Sequence, residues 1–195
     1  EANRVCKETA AMVVFAVQPF TTDVIFSNRK AFRYDLVWHK TNPVGFLDAN
    51  LKQLRAHETM LVFCRKYRGA KCKKLYTYNP QKTEGKPYKT SGSGVVGHYA
   101  KPRISAVNTG DRFPTSVLTY SNRAGGKSLH PTQKPLELLQ NLIRTYTNPG
   151  DLILDPYAGS GSTCHAALIE GRNYIGIERD PGYHAIAQKR IAAAS

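Results

Sequence analysis

Stretches with a clear hydrophobic period alternate along this chain with stretches that have none. Ala10–Val17 (AAMVVFAV) is a continuous apolar run, the pattern of a strand buried on both faces. Thr21 or Thr22, with Asp23, offers side-chain oxygens to cap a short helix through about Arg29. Phe32–Lys40 alternates, with Phe32, Tyr34, Leu36 and Trp38 on one side, and predicts a second strand. Asn42-Pro43 and Gly45 predict a loop over Thr41–Gly45, and Glu58–Arg65 (ETMLVFCR) predicts a third strand. Ahead of these, Glu1–Glu8 reads as the end of a helix.

From Cys64 to Ser128 the period fades. Asn79-Pro80, Gly85, Pro87 and Ser91–Gly94 predict extended loop, Pro114–Tyr120 a strand, and Arg123–Ser128 a flexible link. Order returns at His130. Leu136, Leu139, Leu142, Ile143 and Tyr146 follow helical spacing behind Pro135, which a first helical turn tolerates, and Asn148-Pro149-Gly150 ends that helix. Asp151–Leu154 predicts a buried strand, Asp155–Gly161 a glycine-rich turn, Ser162–Glu170 a helix and Asn173–Glu178 another strand. Pro181–Ala194 predicts a last helix with Tyr183, Ile186, Ala187 and Ile191 as its apolar stripe. Two strands joined by one helix pair in parallel through a right-handed crossover. The expected fold class is α/β: a Rossmann-like sheet with helices on both faces and a basic irregular insertion. With 195 residues, the chain suits a single domain.

Charge sharpens this division. The net charge is +14, and it is not spread evenly. Residues 1–63 and 129–195 are near neutral, whereas 64–128 hold 14 basic residues against Glu84 and Asp111. Six of the eleven tyrosines lie in the same third. Basic side chains neutralise phosphates and aromatic rings stack on bases, so this third suits a polyanion, while a solvated basic loop region is the bland alternative. The four cysteines form no C-x-x-C pair and read as reduced thiols, which with the polar start points to the cytoplasm. No apolar run is long enough to span a bilayer, so no membrane association is expected.

The sharpest local signal is LILDPYAGSGST. A strand ends at Asp155, and Gly159 and Gly161 lie in a tight turn that opens a helix. Such a turn lets a ligand approach the backbone at the strand's carboxyl end. The next strand ends in Glu178, where a carboxylate accepts hydrogen bonds from the hydroxyls of a ribose. A third glycine of the dinucleotide fingerprint would fall at Cys164, and no Gly-Lys-Ser/Thr follows. A mononucleoside-type cofactor is therefore favoured over a pyrophosphate, which counts against a nicotinamide oxidoreductase. Asp155 is placed either to meet the ligand or to cap the loop. His57 and Glu58 have no further ligands nearby for a metal, and none is expected.

These segments resemble the S-adenosylmethionine-dependent DNA methyltransferases of the beta class, which modify the exocyclic amine of adenine (N6) or cytosine (N4). Asp155-Pro156-Tyr157-Ala158-Gly159-Ser160-Gly161 looks like the family's D-P-F-x-G-S-G loop, with Tyr157 in place of Phe. His130-Pro131-Thr132-Gln133-Lys134-Pro135 looks like its H-P-T-Q-K-P segment, and Tyr174–Glu178 like the strand whose acid holds the ribose. The resemblance covers essentially the whole chain: 1–63 as the catalytic-half strands, 64–128 as the target-recognition insertion, and 129–195 as the cofactor-binding half. It implies S-adenosylmethionine as cofactor, bound by His130, Thr132, Gln133, Lys134, Asp155, Tyr157, Gly159, Gly161 and Glu178. Lys134 would approach the cofactor carboxylate or a phosphate. Duplex DNA is the implied substrate, read with base flipping and with adenine favoured over cytosine. A homodimer and a cognate restriction endonuclease system are the further partners it brings in.

One element of the family pattern is missing. The catalytic tetrad, D/N/S-P-P-Y/F/W, supplies lone-pair acceptors to the target amine and a ring that stacks on the flipped base. No D-P-P-Y occurs here; Asp155-Pro156-Tyr157 lacks the second proline and belongs to the glycine loop, and Asn42-Pro43-Val44 lacks the aromatic too. In this class the tetrad lies upstream of a helix like Glu1–Glu8. The expectation is a fragment that starts after its tetrad, or else a catalytically inactive DNA-binding module of the same fold.

Overall fold

The structure is a computed structural model that describes residues 2–65, 76–90, 95–96, 101–102, 105–123 and 133–194. The expectations for Arg123–Ser128 beyond Arg123, and for His130, Pro131 and Thr132, lie outside the described residues. The chain divides into two compact units, Glu1–Asn79 with Ser116–Ser195, and Pro80–Thr115.

The larger unit holds a four-stranded sheet. Its strands are β1 (Met12–Ala16), β2 (Phe32–Val44), β3 (Arg55–Phe63) and β10 (Val117–Tyr120), in the order β1-β3-β2-β10. β3 runs antiparallel to both β1 and β2, and β10 joins β2 in parallel. A second ladder pairs β11 (Leu152–Asp155) with β12 (Asn173–Gly176) in parallel, with α4 (Ser162–Ile169) as the crossover. Helix α3 (Leu136–Tyr146) packs on both ladders. Leu138, Leu142 and Tyr146 close a core with Trp38, Met60 and Val62, while Leu139 and Ile143 meet Ala166, Ala167 and Ile153. Phe15 of β1 packs against both clusters.

Several local expectations are corrected. β1 is half-buried over most of its length, because among the described residues it is an edge strand hydrogen-bonded only to β3. β11 is likewise half-exposed, with Leu152 and Leu154 on the open side and Ile153 on the packed side. α1 is only Ala2–Val5. α2 (Phe20–Ser27) starts after Pro19, and Thr21, Thr22 and Asp23 lie inside its first turn, where they make no cap. The segment Thr41–Val44 is strand, and the reversal waits for Gly45 at φ 91°. There the Asn42 amide finds the Asn122 side chain at 3.2 Å, which satisfies it where the β2–β3 register is irregular.

Phe32 does not share a face with Tyr34, Leu36 and Trp38. An irregularity between Phe32 and Tyr34 turns it to the opposite side, onto the Phe63 ring, with centroids 5.6 Å apart. A bulge of this kind reverses the alternation that a sequence pattern assumes.

The smaller unit is not plain loop. β4 (Thr83–Glu84) pairs with β9 (Asp111–Arg112), β5 (Tyr88–Thr90) with β8 (Ala106–Asn108), and β6 (Val95–Val96) with β7 (Lys101–Pro102), all antiparallel. The pairs nest, so the segment folds back on itself as one interrupted ribbon. Its ladders are two or three residues long, too short to show a period of two in the sequence.

Candidate functional site

The β11–α4–β12 unit builds the site. Register pairs Asp155 with Gly176, so both strands end level and Glu178 follows two residues beyond. The Asp155 carboxylate accepts the Tyr157 amide at 3.0 Å, a local bond that fixes the start of the turn. Of its two expected roles, loop capping is the one this bond performs.

Gly161 caps α4 in the left-handed region at φ 76°, and a Cβ there would stand 2.8 Å from the Ala187 Cβ. Only glycine meets both conditions. Gly176 is constrained differently, since a Cβ would meet the Cys164 Sγ at 2.6 Å. Burial, then the Asp155 charge, raises the Cys164 thiol to about 11, which leaves it a packing residue.

Glu178 closes the turn. One carboxylate oxygen accepts the Gly159 amide and the other the Asp180 amide, both at 2.8 Å. These bonds, Asp180's first, hold the carboxyl below its usual range. With the Arg179 amide as a further donor, the carboxylate still has acceptor capacity to spare. A cavity of about 360 Å³ opens beside it, lined in part by Ala158, Cys164, Gly176, Ala187 and Gln188. The acceptor atoms therefore fit a ligand that presents hydroxyl groups. Asp180 in turn caps α5 (Pro181–Ala192), accepting from the Gly182 and Tyr183 amides.

Behind the turn lies a residue that the sequence did not reveal. Arg190 donates to the Ser160 carbonyl (2.9 Å), the Ser160 hydroxyl (3.1 Å), the Ser162 hydroxyl (2.7 Å) and Gln133 Oε1 (2.9 Å). Ser160 is buried, and its hydroxyl also reaches Gln133 at 3.3 Å. One guanidinium thus joins the last helix, the glycine turn and Gln133. Arginine in a final helical turn is unremarkable in a sequence, so no local signal marks it.

Lys134 points elsewhere. Its ammonium lies 2.6 Å from Glu58 and 4.9 Å from the Phe15 ring centroid. Glu58 also binds Lys40 at 3.0 Å, and Lys40 sits over the Trp38 ring. Burial alone would raise the Glu58 carboxyl; the hydrogen bond and charge of Lys134, then those of Lys40, bring it below its usual range. A glutamate and a lysine on neighbouring strands, both strands carrying other polar residues, left no distinct sequence signal for this cluster. The structure thus gathers Gln133, Asp155, Gly159, Gly161 and Glu178 about the turn, directs the Lys134 ammonium to Glu58, and leaves Tyr157 almost fully exposed. Among the described residues, no group of three or more His, Cys, Asp or Glu could hold a metal ion.

A family model described as DNA methylase, of the N6/N4 type, matches residues 1–189. The chain belongs to this family. Among curated relatives, the type II methyltransferase M.HinfI of Haemophilus influenzae is 37% identical over 161 residues, which are 80% of this chain and 38% of that protein. YubD of Escherichia coli (strain K12) is 40% identical over 124 residues, 54% of this chain and 55% of the relative. The chain thus spans about half the length, or less, of these methylase-family relatives. The solved complex of M1.HpyAVI with S-adenosylmethionine superposes with a TM-score of 0.67 at 24% identity, covering 97% of this chain and 78% of that one. The cytosine-N4-specific PvuII DNA methyltransferase gives 0.63 at 18%, covering 94% and 64%. These likenesses place the fold among Rossmann-like DNA methyltransferases.

Proposed function

We propose that this chain is the cofactor- and DNA-engaging portion of a methyltransferase that acts on the exocyclic amine of adenine (N6) or cytosine (N4) in duplex DNA. The observation that carries the reading is the closed loop of Gly159 on Glu178, level with the paired ends of β11 and β12. S-adenosylmethionine is the proposed cofactor; when bound, it supplies an electrophilic methyl group on sulfonium. His130, Thr132, Gln133, Lys134, Asp155, Tyr157, Gly159, Gly161 and Glu178 form its proposed site. Glu178 accepts the ribose hydroxyls, the turn lets the ligand approach the backbone, and the His130–Pro135 segment helps hold the methionine part. The basic third of the chain holds duplex DNA by its phosphates, and the target base leaves the stack to reach the site. Adenine is favoured over cytosine, from overall similarity alone. Calorimetry with S-adenosylmethionine and with its demethylated product tests the reading. Saturable binding of both is expected, and a folded chain that binds neither refutes it.

The sequence lacks D-P-P-Y, and this favours a second reading, a DNA-binding module of the same fold that transfers no methyl group. Incorporation of labelled methyl groups into duplex DNA by the native-length protein separates the two. A cytoplasmic location, a homodimer and a cognate endonuclease remain proposals of the family resemblance.

A further inference from the structure

Glu58 stands at a junction. It lies on β3 opposite Trp38 of β2, and its two oxygens serve two ammonium groups, Lys134 at 2.6 Å and Lys40 at 3.0 Å. Both lysines also rest on aromatic faces. Lys40 lies 4.7 Å from the Trp38 centroid, and Lys134 lies 4.9 Å from Phe15 and 5.7 Å from Trp38. The two rings meet edge to face, and the Trp38 indole is fixed by a 3.0 Å bond to the Tyr120 carbonyl. The ammonium of Lys134 is therefore held by a carboxylate on one side and a rigid aromatic floor on the other.

Lys134 adjoins Gln133, whose Oε1 receives the Ser160 hydroxyl of the glycine turn and the Arg190 guanidinium. Covalent continuity thus joins a charge cluster on the four-stranded sheet to the turn beyond β11. Lys40 and Lys134 would be two close cations without the carboxylate between them. Neutralising Glu58 leaves them to repel, and the more exposed one, Lys134, is the one free to move.

We propose that Glu58 is a positioning residue of the cofactor site: it anchors Lys134 and thereby holds Gln133 against the Ser160–Arg190 side of the glycine turn. The proposal rests on the cofactor reading given above. It assigns Glu58 no contact with the cofactor or the target base.

The test uses the 195-residue chain with Glu58→Gln, Lys134→Met and the double variant, titrated with S-adenosylmethionine by calorimetry and melted in parallel. Glu58→Gln keeps the shape and removes the charge. Its dissociation constant is expected to rise about tenfold, the scale of one charge-assisted hydrogen bond. Lys134→Met should weaken binding at least as much, and the double variant should be no weaker than Lys134→Met, because Glu58 acts through Lys134. A purely structural role would leave affinity unchanged in the folded variants or give binding losses that multiply in the double variant, and that result overturns the proposal. So does unchanged affinity in a folded Glu58→Gln. Should Glu58→Gln not fold, Glu58→Asp, which keeps the charge but draws the carboxylate back from Lys134, takes its place, and unchanged affinity there overturns the anchoring role. A wild-type chain that does not bind removes the cofactor reading and this inference together. A wild-type chain that binds, with variants that bind equally, removes only the inference.

Discussion

Single side chains in this protein do work that their type alone does not announce. Glu178 is held charged by the backbone amides of Asp180, Gly159 and Arg179 while keeping acceptor capacity for a ligand. Glu178→Ala should raise the dissociation constant for S-adenosylmethionine about tenfold or more, since it strips both acceptors from the ribose side; calorimetry on the folded variant checks this. Because its carboxyl is held below the ordinary value, the acid-side fall in affinity should begin at lower pH than an ordinary glutamate would give. Glu58 gives a stability counterpart. Its folded-state value is also depressed, so its contribution is present above the unfolded value and is lost as pH falls through the folded one. The acid-side fall in melting temperature should be shallower in Glu58→Gln than in the wild type. Cys164, buried and raised to about 11, should resist alkylation at pH 8 until the chain is unfolded, which a thiol-labelling time course reads.

Between elements, close approach decides which substitutions the fold accepts. Gly161→Ala would place a Cβ 2.8 Å from Ala187 on a backbone at φ 76°, and a loss of about 1–3 kcal/mol by denaturant titration is expected. Gly176→Ala meets the Cys164 Sγ instead, so Cys164→Ala in the same chain should recover part of its loss. Helix α3 was legible in the sequence because its stripe is strictly periodic, and the structure buries Leu139, Leu142, Ile143 and Tyr146 as that period requires. β2 was legible only in part. Its alternation located the strand, but the irregularity at Phe32/Tyr34 and the pairing through Thr41–Val44 depend on β3 and Asn122, which lie far along the chain. The helix α2 cap was misplaced because three adjacent cap-forming residues fit several helix starts equally well in the sequence.

At the scale of the molecule, residues 1–63 and 129–195 are near neutral and the positive charge is concentrated in 64–128. Within the Pro80–Thr115 unit, Arg112 lies over the exposed Tyr88 ring at 4.8 Å and Lys82 over the exposed Phe113 ring at 4.9 Å. Duplex DNA binding should weaken linearly in log affinity against log salt, and Lys86→Ala and Lys89→Ala should each lower that slope by about one. A salt-independent affinity would contradict a phosphate-binding role for this segment. The sequence by itself determined the β11–α4–β12 unit, its glycine turn and the acid that follows, because each is written in contiguous residues through period, glycine and turn chemistry. It also located the charge. Only the tertiary structure decided that Glu58 holds Lys134 and that Arg190 ties Ser160 to Gln133. Those partners are brought together by strand pairing and helix packing across long chain separations, and a contact between distant side chains leaves no local pattern to read.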